Sequence, residues 1–159
     1  MTDPEPDLFE LARRAQTKVL KRRKSRRTPK PGTHARDPVF SPTQRTGFEA
    51  ETRAAHFLED AGLKILAHNL SCRAGEIDLV ANDDGILVFI EVKYRRQPDF
   101  GGPAASVNRD KQRRLIQSAR FFLGSLSRRF YGSETPPCRF DVVTIEAERL
   151  VWLKSAFSA

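Results

Sequence analysis

The sequence predicts an α/β fold in which a mixed central sheet is flanked by helices in the order αβββαββ, preceded by a basic, disordered arm. Three observations carry that reading. Two stretches have helical periodicity, a polar–apolar hairpin lies between them, and the charge excess is crowded into the first quarter of the chain.

Residues 1–40 hold 11 Lys or Arg against 5 Asp or Glu, and Lys18–Lys30 alone carries eight positive charges in 13 residues. Such a block repels itself, and Pro29, Pro31, Gly32 and Pro38 follow or interrupt it. The arm is expected to be mostly disordered, with a short helix near Leu8–Leu20, and to attract polyanions through counterion release. The folded domain is expected over 41–159, where 17 basic residues face 15 acidic ones.

From Thr43 to Ala61 the spacing predicts a helix, with Phe48, Ala55 and Leu58 on one stripe and Ala54 and Phe57 at its edge. Ser41 is the expected N-cap, Pro42 fits the first helical position, and Gly62 is a natural stop. Leu63–Leu70 reads as a short strand, broken by Ala74-Gly75. Residues 76–81 and 86–93 alternate polar and apolar around Asn82-Asp83-Asp84-Gly85, a strong turn signal. Gln97–Pro103 is a Gly/Pro loop, Val107–Leu123 returns to helical spacing, and Arg139–Ile145 and Leu150–Leu153 read as two more strands.

Composition narrows the function classes. A length of 159 residues suits one domain with a tail, and a net charge of +8 favours acidic partners. The longest apolar run, Ile86–Ile90, is far shorter than the roughly 20 residues of a membrane helix. The opening MTDPEPDLFE is acidic and has no apolar stretch, so neither export nor membrane spanning is expected. Cys72 and Cys138 are too few for a disulfide framework or a Cys-based zinc site. Two small buried thiols in a reducing, cytoplasmic setting are the expectation.

The chemistry is concentrated in the hairpin. A regular loop over Asn82–Gly85 pairs Glu76 with Glu91 and Asp78 with Phe89, Glu91 lying one diagonal step from Asp78. Alternation then puts Ile77, Leu79, Val88, Ile90 and Val92 on an apolar face, and Glu76, Asp78, Glu91 and Lys93 on the other. A half-buried hairpin whose polar face simply meets water would alternate in the same way. Facing carboxylates, however, cost roughly 0.2–1 kcal/mol in a sheet, and folding does not require them. A hard cation, Mg²⁺ or Mn²⁺, would resolve the repulsion, with Lys93 orienting a water or meeting charge on a phosphate.

The string Gly75-Glu-Ile-Asp-Leu-Val80, followed after the turn by Val88-Phe-Ile-Glu-Val-Lys93, resembles the PD-(D/E)xK nuclease signature. More narrowly, the chain resembles the small bacterial YraN family, whose fold is similar to restriction endonucleases and archaeal Holliday junction resolvases. The likeness covers about residues 45–145 through Gly47, Glu51, Gly75 to Leu79, Phe89 to Lys93, Gly101, Val107, Lys111 and Phe140-Asp-Val142. Ala50 departs from it, standing where the family usually has a glycine, which bears on local helix packing. The resemblance implies a restriction-endonuclease-like core, with Asp78, Glu91 and the Val92 carbonyl as metal ligands. It also implies Lys93 as the water-positioning residue, Glu76 as an outer or second-metal acid, and Glu51 completing the site.

Other residues support a nucleic-acid partner. Arg109, Arg113, Gln117 and Arg120 make one basic stripe with no acid on it, either a solvated helix face or a backbone contact. Lys111 lies on the apolar side and is placed to reach toward the acids. Arg95, Arg96, Tyr94 and Phe100 follow the signature and could line a groove beside Gly101 and Gly102. Asp141 reads as a structural acid and Trp152 as core or edge packing. The function expected is metal-dependent hydrolysis of DNA phosphodiester bonds, with branched or structured DNA a secondary expectation and a homodimer suited to cutting two strands. The alternatives are a catalytically silent nucleic-acid-binding module and an RNA-associated protein.

Overall fold

The computed structural model describes residues 42–95, 107–146 and 148–159, with side chains from Gly47 onward. The arm of residues 1–40, Ser41, Arg96 and the loop with Phe100, Gly101 and Gly102 lie outside the described residues. Helix α1 (Pro42–Asp60) is followed by β1 (Lys64–Ser71), β2 (Glu76–Asp83) and β3 (Ile86–Arg95), then α2 (Arg109–Phe130), β4 (Cys138–Glu146) and β5 (Arg149–Phe157). The order is αβββαββ. No described helix is long and apolar enough to cross a membrane.

The five strands lie side by side in chain order. All neighbours are antiparallel except β3 and β4, which run parallel. Parallel neighbours need a long crossover, and α2 occupies it. The helices cover opposite faces of the mixed sheet. On one face, Ala50, Ala54, Ala55 and Leu58 of α1 pack on Leu79, Ala81, Val88, Ile90, Val143 and Ile145. On the other, Leu115, Ala119, Phe122 and Leu126 of α2 pack on Leu70, Val80, Leu87, Phe89, Phe140 and Val142.

Helix α1 ends as its glycine dictates. Gly62 sits at φ +96°, its N–H donates to Glu59 O at 2.9 Å, and the Leu63 N–H donates to Leu58 O at 3.0 Å. This pair of bonds is a Schellman cap, with Leu58 and Leu63 both buried behind it. A side chain in that backbone region is strained, so Gly62→Ala should lower stability by about 1 kcal/mol. An unchanged midpoint in urea would contradict the cap's role.

The buried stripe of α1 differs from the expected one. Phe48 is 64% exposed, because the alanines at 50 and 54 and Leu58 face the sheet and position 48 is turned about 200° from position 50. Ala50 is itself core, 5% exposed. Helix α2 starts at Arg109, two residues later than expected, just after the Asn108 cap, whose side chain accepts from the Lys111 N–H at 2.9 Å. It also runs on through Gly124 to Phe130, because Leu126 continues the inward stripe. Cys138 is exposed rather than buried, while Cys72 is half-buried.

The hairpin register also differs from the expected one. Asp83 pairs with Ile86 and Leu79 with Ile90, so the turn is the two residues Asp84-Gly85, at φ +49° and +88°. Positive φ at both positions marks a type I′ turn, whose twist matches the strands. Continuing that register sets Asp78 level with Glu91, not Phe89, and Glu76 level with Lys93. Alternation also breaks at Asp78: Leu79 belongs to the α1 side, but Ile77 packs on the α2 side with its partner Leu70. The matching break in β1 is Asn69, at φ +52°.

A second buried group is centred on Asp141, level with Ile90, and reaches the turn end of the hairpin through Arg139. Asp141, 1% exposed, accepts from Arg139 Nε at 2.9 Å, Arg139 Nη2 at 2.9 Å, Trp152 Nε1 at 3.0 Å and the Ser155 N–H at 2.9 Å. Arg139 also donates to Asp83 at 2.7 Å. The β4–β5 register shifts between Phe140 and Val142, and Ser155 opposite has φ +52°, so Asp141 caps a bulge.

Candidate functional site

Beyond the Leu79–Ile90 pair the β2–β3 ladder stops. The backbone there still needs partners, and Asp78 provides one: its Oδ2 accepts from the Val92 N–H at 2.7 Å. This single bond locates the Asp78 carboxylate beside the segment Glu91-Val92-Lys93. Glu91 itself is 3% exposed. Lys93 Nζ lies 3.4 Å from its Oε1 and Lys111 Nζ 3.1 Å from its Oε2. The Lys111 ammonium is off the hydrogen-bonding direction, so Oε2 is a buried oxygen with an ion pair but no directed donor.

The electrostatics follow from crowding. Burial, and then the Glu91 charge, push the Asp78 carboxyl up to about 8, against the pull of the Val92 N–H and Lys111. Burial also raises Glu51 on α1, with further push from Glu76 and Glu91, while a hydrogen bond from the Asn69 side chain works the other way. Glu51 therefore feels the charges of Glu76 and Glu91, and Asp78 those of Glu91 and Glu51. Glu91 is the buried centre, Asp78 and Glu51 are half-buried beside it, and Glu76 is exposed at the rim. Among the described residues no three His, Cys, Asp or Glu side chains are gathered tightly enough to hold an ion by themselves. The donor set is two close carboxylates, all oxygen, which suits a hard cation that keeps several waters.

The sequence-derived cations divide. Lys93 and Lys111 reach the centre. Arg95 does not: its side chain is 12% exposed and lies 3.8 Å from Glu146. Arg109, Arg113 and Arg120 are exposed along α2 with Gln117. The stripe is less purely basic than expected, because Asp110 Oδ1 lies 3.7 Å from Arg113 Nη1. Asn69 joins the site with no motif to mark it. Asparagine tolerates positive φ, and here that conformation accompanies the amide's bond to Glu51.

A family model described as "Uncharacterised protein family UPF0102" matches residues 50–145. A UPF0102 protein of Bordetella petrii is 49% identical over 152 residues, covering 94% of each chain. One of Bordetella parapertussis is 45% identical over 157 residues, covering 99% of this chain and 88% of that one. The UPF0102 protein YraN of Escherichia coli is 42% identical over 126 residues, covering 79% of this chain and 94% of its own. The matched residues 50–145 contain Glu51, Glu76, Asp78, Glu91, Lys93 and Lys111.

Proposed function

The chain belongs to the uncharacterised protein family UPF0102, and we propose that it is a metal-dependent endonuclease built on a restriction-endonuclease-like core. The observation that carries this reading is the Asp78–Glu91 pair, a half-buried and a buried carboxylate on neighbouring strands, with two lysines beside Glu91 and the Val92 N–H on Asp78. Ionised together, like charges so placed oppose folding; the two lysines and a proton on Asp78 offset this within the chain, and a bound cation would offset it with both carboxylates charged. The donors fit Mg²⁺ or Mn²⁺, which would supply a Lewis acid and make a bound water a better nucleophile.

Each residue then has a task. Asp78 and Glu91 hold the cation from neighbouring strands. In an extended strand the N–H and C=O of one residue point to the same edge, so Val92, whose N–H meets Asp78, turns its carbonyl toward the same place. Lys93 positions the attacking water or meets charge developing on the phosphate. Glu51, oriented by Asn69, completes the acid set, and Glu76 stands at the outer rim. Arg109, Arg113 and Arg120 follow the nucleic-acid backbone, with the basic arm of residues 1–40 adding affinity without selectivity. DNA in the cytoplasm is the favoured substrate, branched or structured forms included.

The test is cleavage of labelled duplex, flap and four-way-junction DNA with Mg²⁺ or Mn²⁺. Wild type should cut at least one of them, and Lys93→Ala should be slower by about 10²–10³-fold. Equal rates in the two proteins would exclude this site as the source of cleavage.

One observation favours a second reading, a silent nucleic-acid-binding module: both oxygens of Glu91 already face lysines. In that case calorimetry should find Mn²⁺ binding no tighter in wild type than in Asp78→Asn.

A further inference from the structure

Beside the acid pair lies a cleft of about 310 Å³, lined by Ser71, Cys72, Gly75, Glu76, Lys111 and Arg114. Its floor depends on Gly75. A β-carbon there would come 3.3 Å from Ser118 Oγ and 3.4 Å from Arg114 Cβ, so the β1–β2 turn packs directly against α2. Cys72 Sγ reinforces that contact, 3.5 Å from Ser118 Oγ. The cleft is near the lower end of the volumes that small ligands occupy. Two cations and one carboxylate line it, a balance that favours an anion, and Glu76 is the outward-facing acid.

Lys111 belongs to two places at once. It lines the cleft, yet its ammonium lies 3.1 Å from the buried Glu91 Oε2. That contact is an undirected ion pair at the end of a flexible stem, 29% exposed, and is the kind of contact a competing charge can replace. Arg114, by contrast, is exposed and held by a long bond of 3.4 Å from its Nε to the Asp110 carbonyl.

We propose that the cleft is a subsite for the phosphate of a nucleotide neighbouring the reacting bond, and that Lys111 serves it only after leaving Glu91. In the metal-free protein Lys111 balances Glu91. Once a divalent cation shares Glu91, the lysine is released, and with Arg114 it grips the phosphate in the cleft. Cation and nucleotide therefore favour each other's binding through one side chain, and the effect is reciprocal. This inference rests on the metal reading above and deepens it by naming a second phosphate contact.

The experiment is Mn²⁺ calorimetry on the full chain, with and without a 5′-phosphorylated dinucleotide whose internal link is uncleavable. In wild type the dinucleotide should tighten Mn²⁺ binding about tenfold, within the usual range of site-to-site coupling. Lys111→Met and Lys111→Gln should still bind Mn²⁺, with the enhancement reduced below about twofold. Arg114→Met should weaken dinucleotide binding severalfold and leave Mn²⁺ binding alone unchanged. A dinucleotide lacking the 5′-phosphate should give no enhancement, whereas inorganic phosphate should give a smaller one. Undiminished enhancement in both Lys111 variants would overturn the exchange alone, because the phosphate would then sit on the cation itself. Absence of Mn²⁺ binding in wild type would overturn the metal reading and the exchange with it.

Discussion

Asp78→Asn is expected to cut metal-dependent cleavage by roughly 10³-fold, equivalent to about 4 kcal/mol of transition-state stabilisation, and to weaken Mn²⁺ binding in parallel. The same substitution should make the metal-free protein more stable at pH 8. Burial and Glu91 hold the Asp78 carboxyl at about 8, against an ordinary value of 3.8. Between those values the folded protein keeps a proton that the unfolded chain has given up. Stability must then fall as pH rises from about 4 to about 8, with a limiting slope of about 1.4 kcal/mol per pH unit. A neutral amide removes that slope and can still accept the Val92 N–H. Saturating Mn²⁺ should remove it in wild type by the opposite route, favouring the ionised form. Urea titrations of both proteins across that pH range, with and without Mn²⁺, measure all of this. A flat profile in metal-free wild type would mean that Asp78 is not crowded as the geometry implies.

That the sequence brings Asp78 and Glu91 together, as the structure does, through a misjudged register has a physical reason. A four-residue loop and the observed two-residue turn differ by a shift of two positions, and side chains repeat with a period of two. Asp78, Glu91 and Lys93 therefore stay on related positions whichever turn forms, although the facing partner of Asp78 changes from Phe89 to Glu91. The element order was legible because each helix and strand buries its own periodic stripe. The facing of α1 was not, since alanine is a weak marker of burial and Phe48 a misleading one. Nor was Asn69 legible. Its role needs a positive φ in mid-strand and a neighbour on α1, and neither is marked in the local pattern. Arg139 and Asp141 did carry a signal, because residues two apart share a strand face. Their pairing across to Asp83 depended on the register.

Asp141→Ala should destabilise the fold by about 3 kcal/mol, the largest stability loss expected of any single change outside the hydrophobic core. The carboxylate is 1% exposed and meets Arg139, Trp152 Nε1 and the Ser155 N–H. Its removal leaves the arginine with Asp83 alone and strands two other donors. Asp83 cannot compensate fully: its carboxyl is 23% exposed and also lies 3.5 Å from Lys154. Arg139→Met should cost a comparable amount by isolating a buried carboxylate. The double variant should cost less than the sum, because neither charge is then left without the other. The network also bears on the site. Arg139 ties Asp83 on β2 to Asp141 on β4 across the intervening β3, fixing the hairpin's turn end and with it the register that sets Asp78 level with Glu91. Arg139 holds the Asp83 carboxyl below its ordinary value, so this support persists at neutral pH and weakens as pH falls below about 4. Denaturant titrations of the three variants at pH 7 measure the coupling directly. Strict additivity, or a loss under about 1 kcal/mol for Asp141→Ala, would show that the network does not act as a unit.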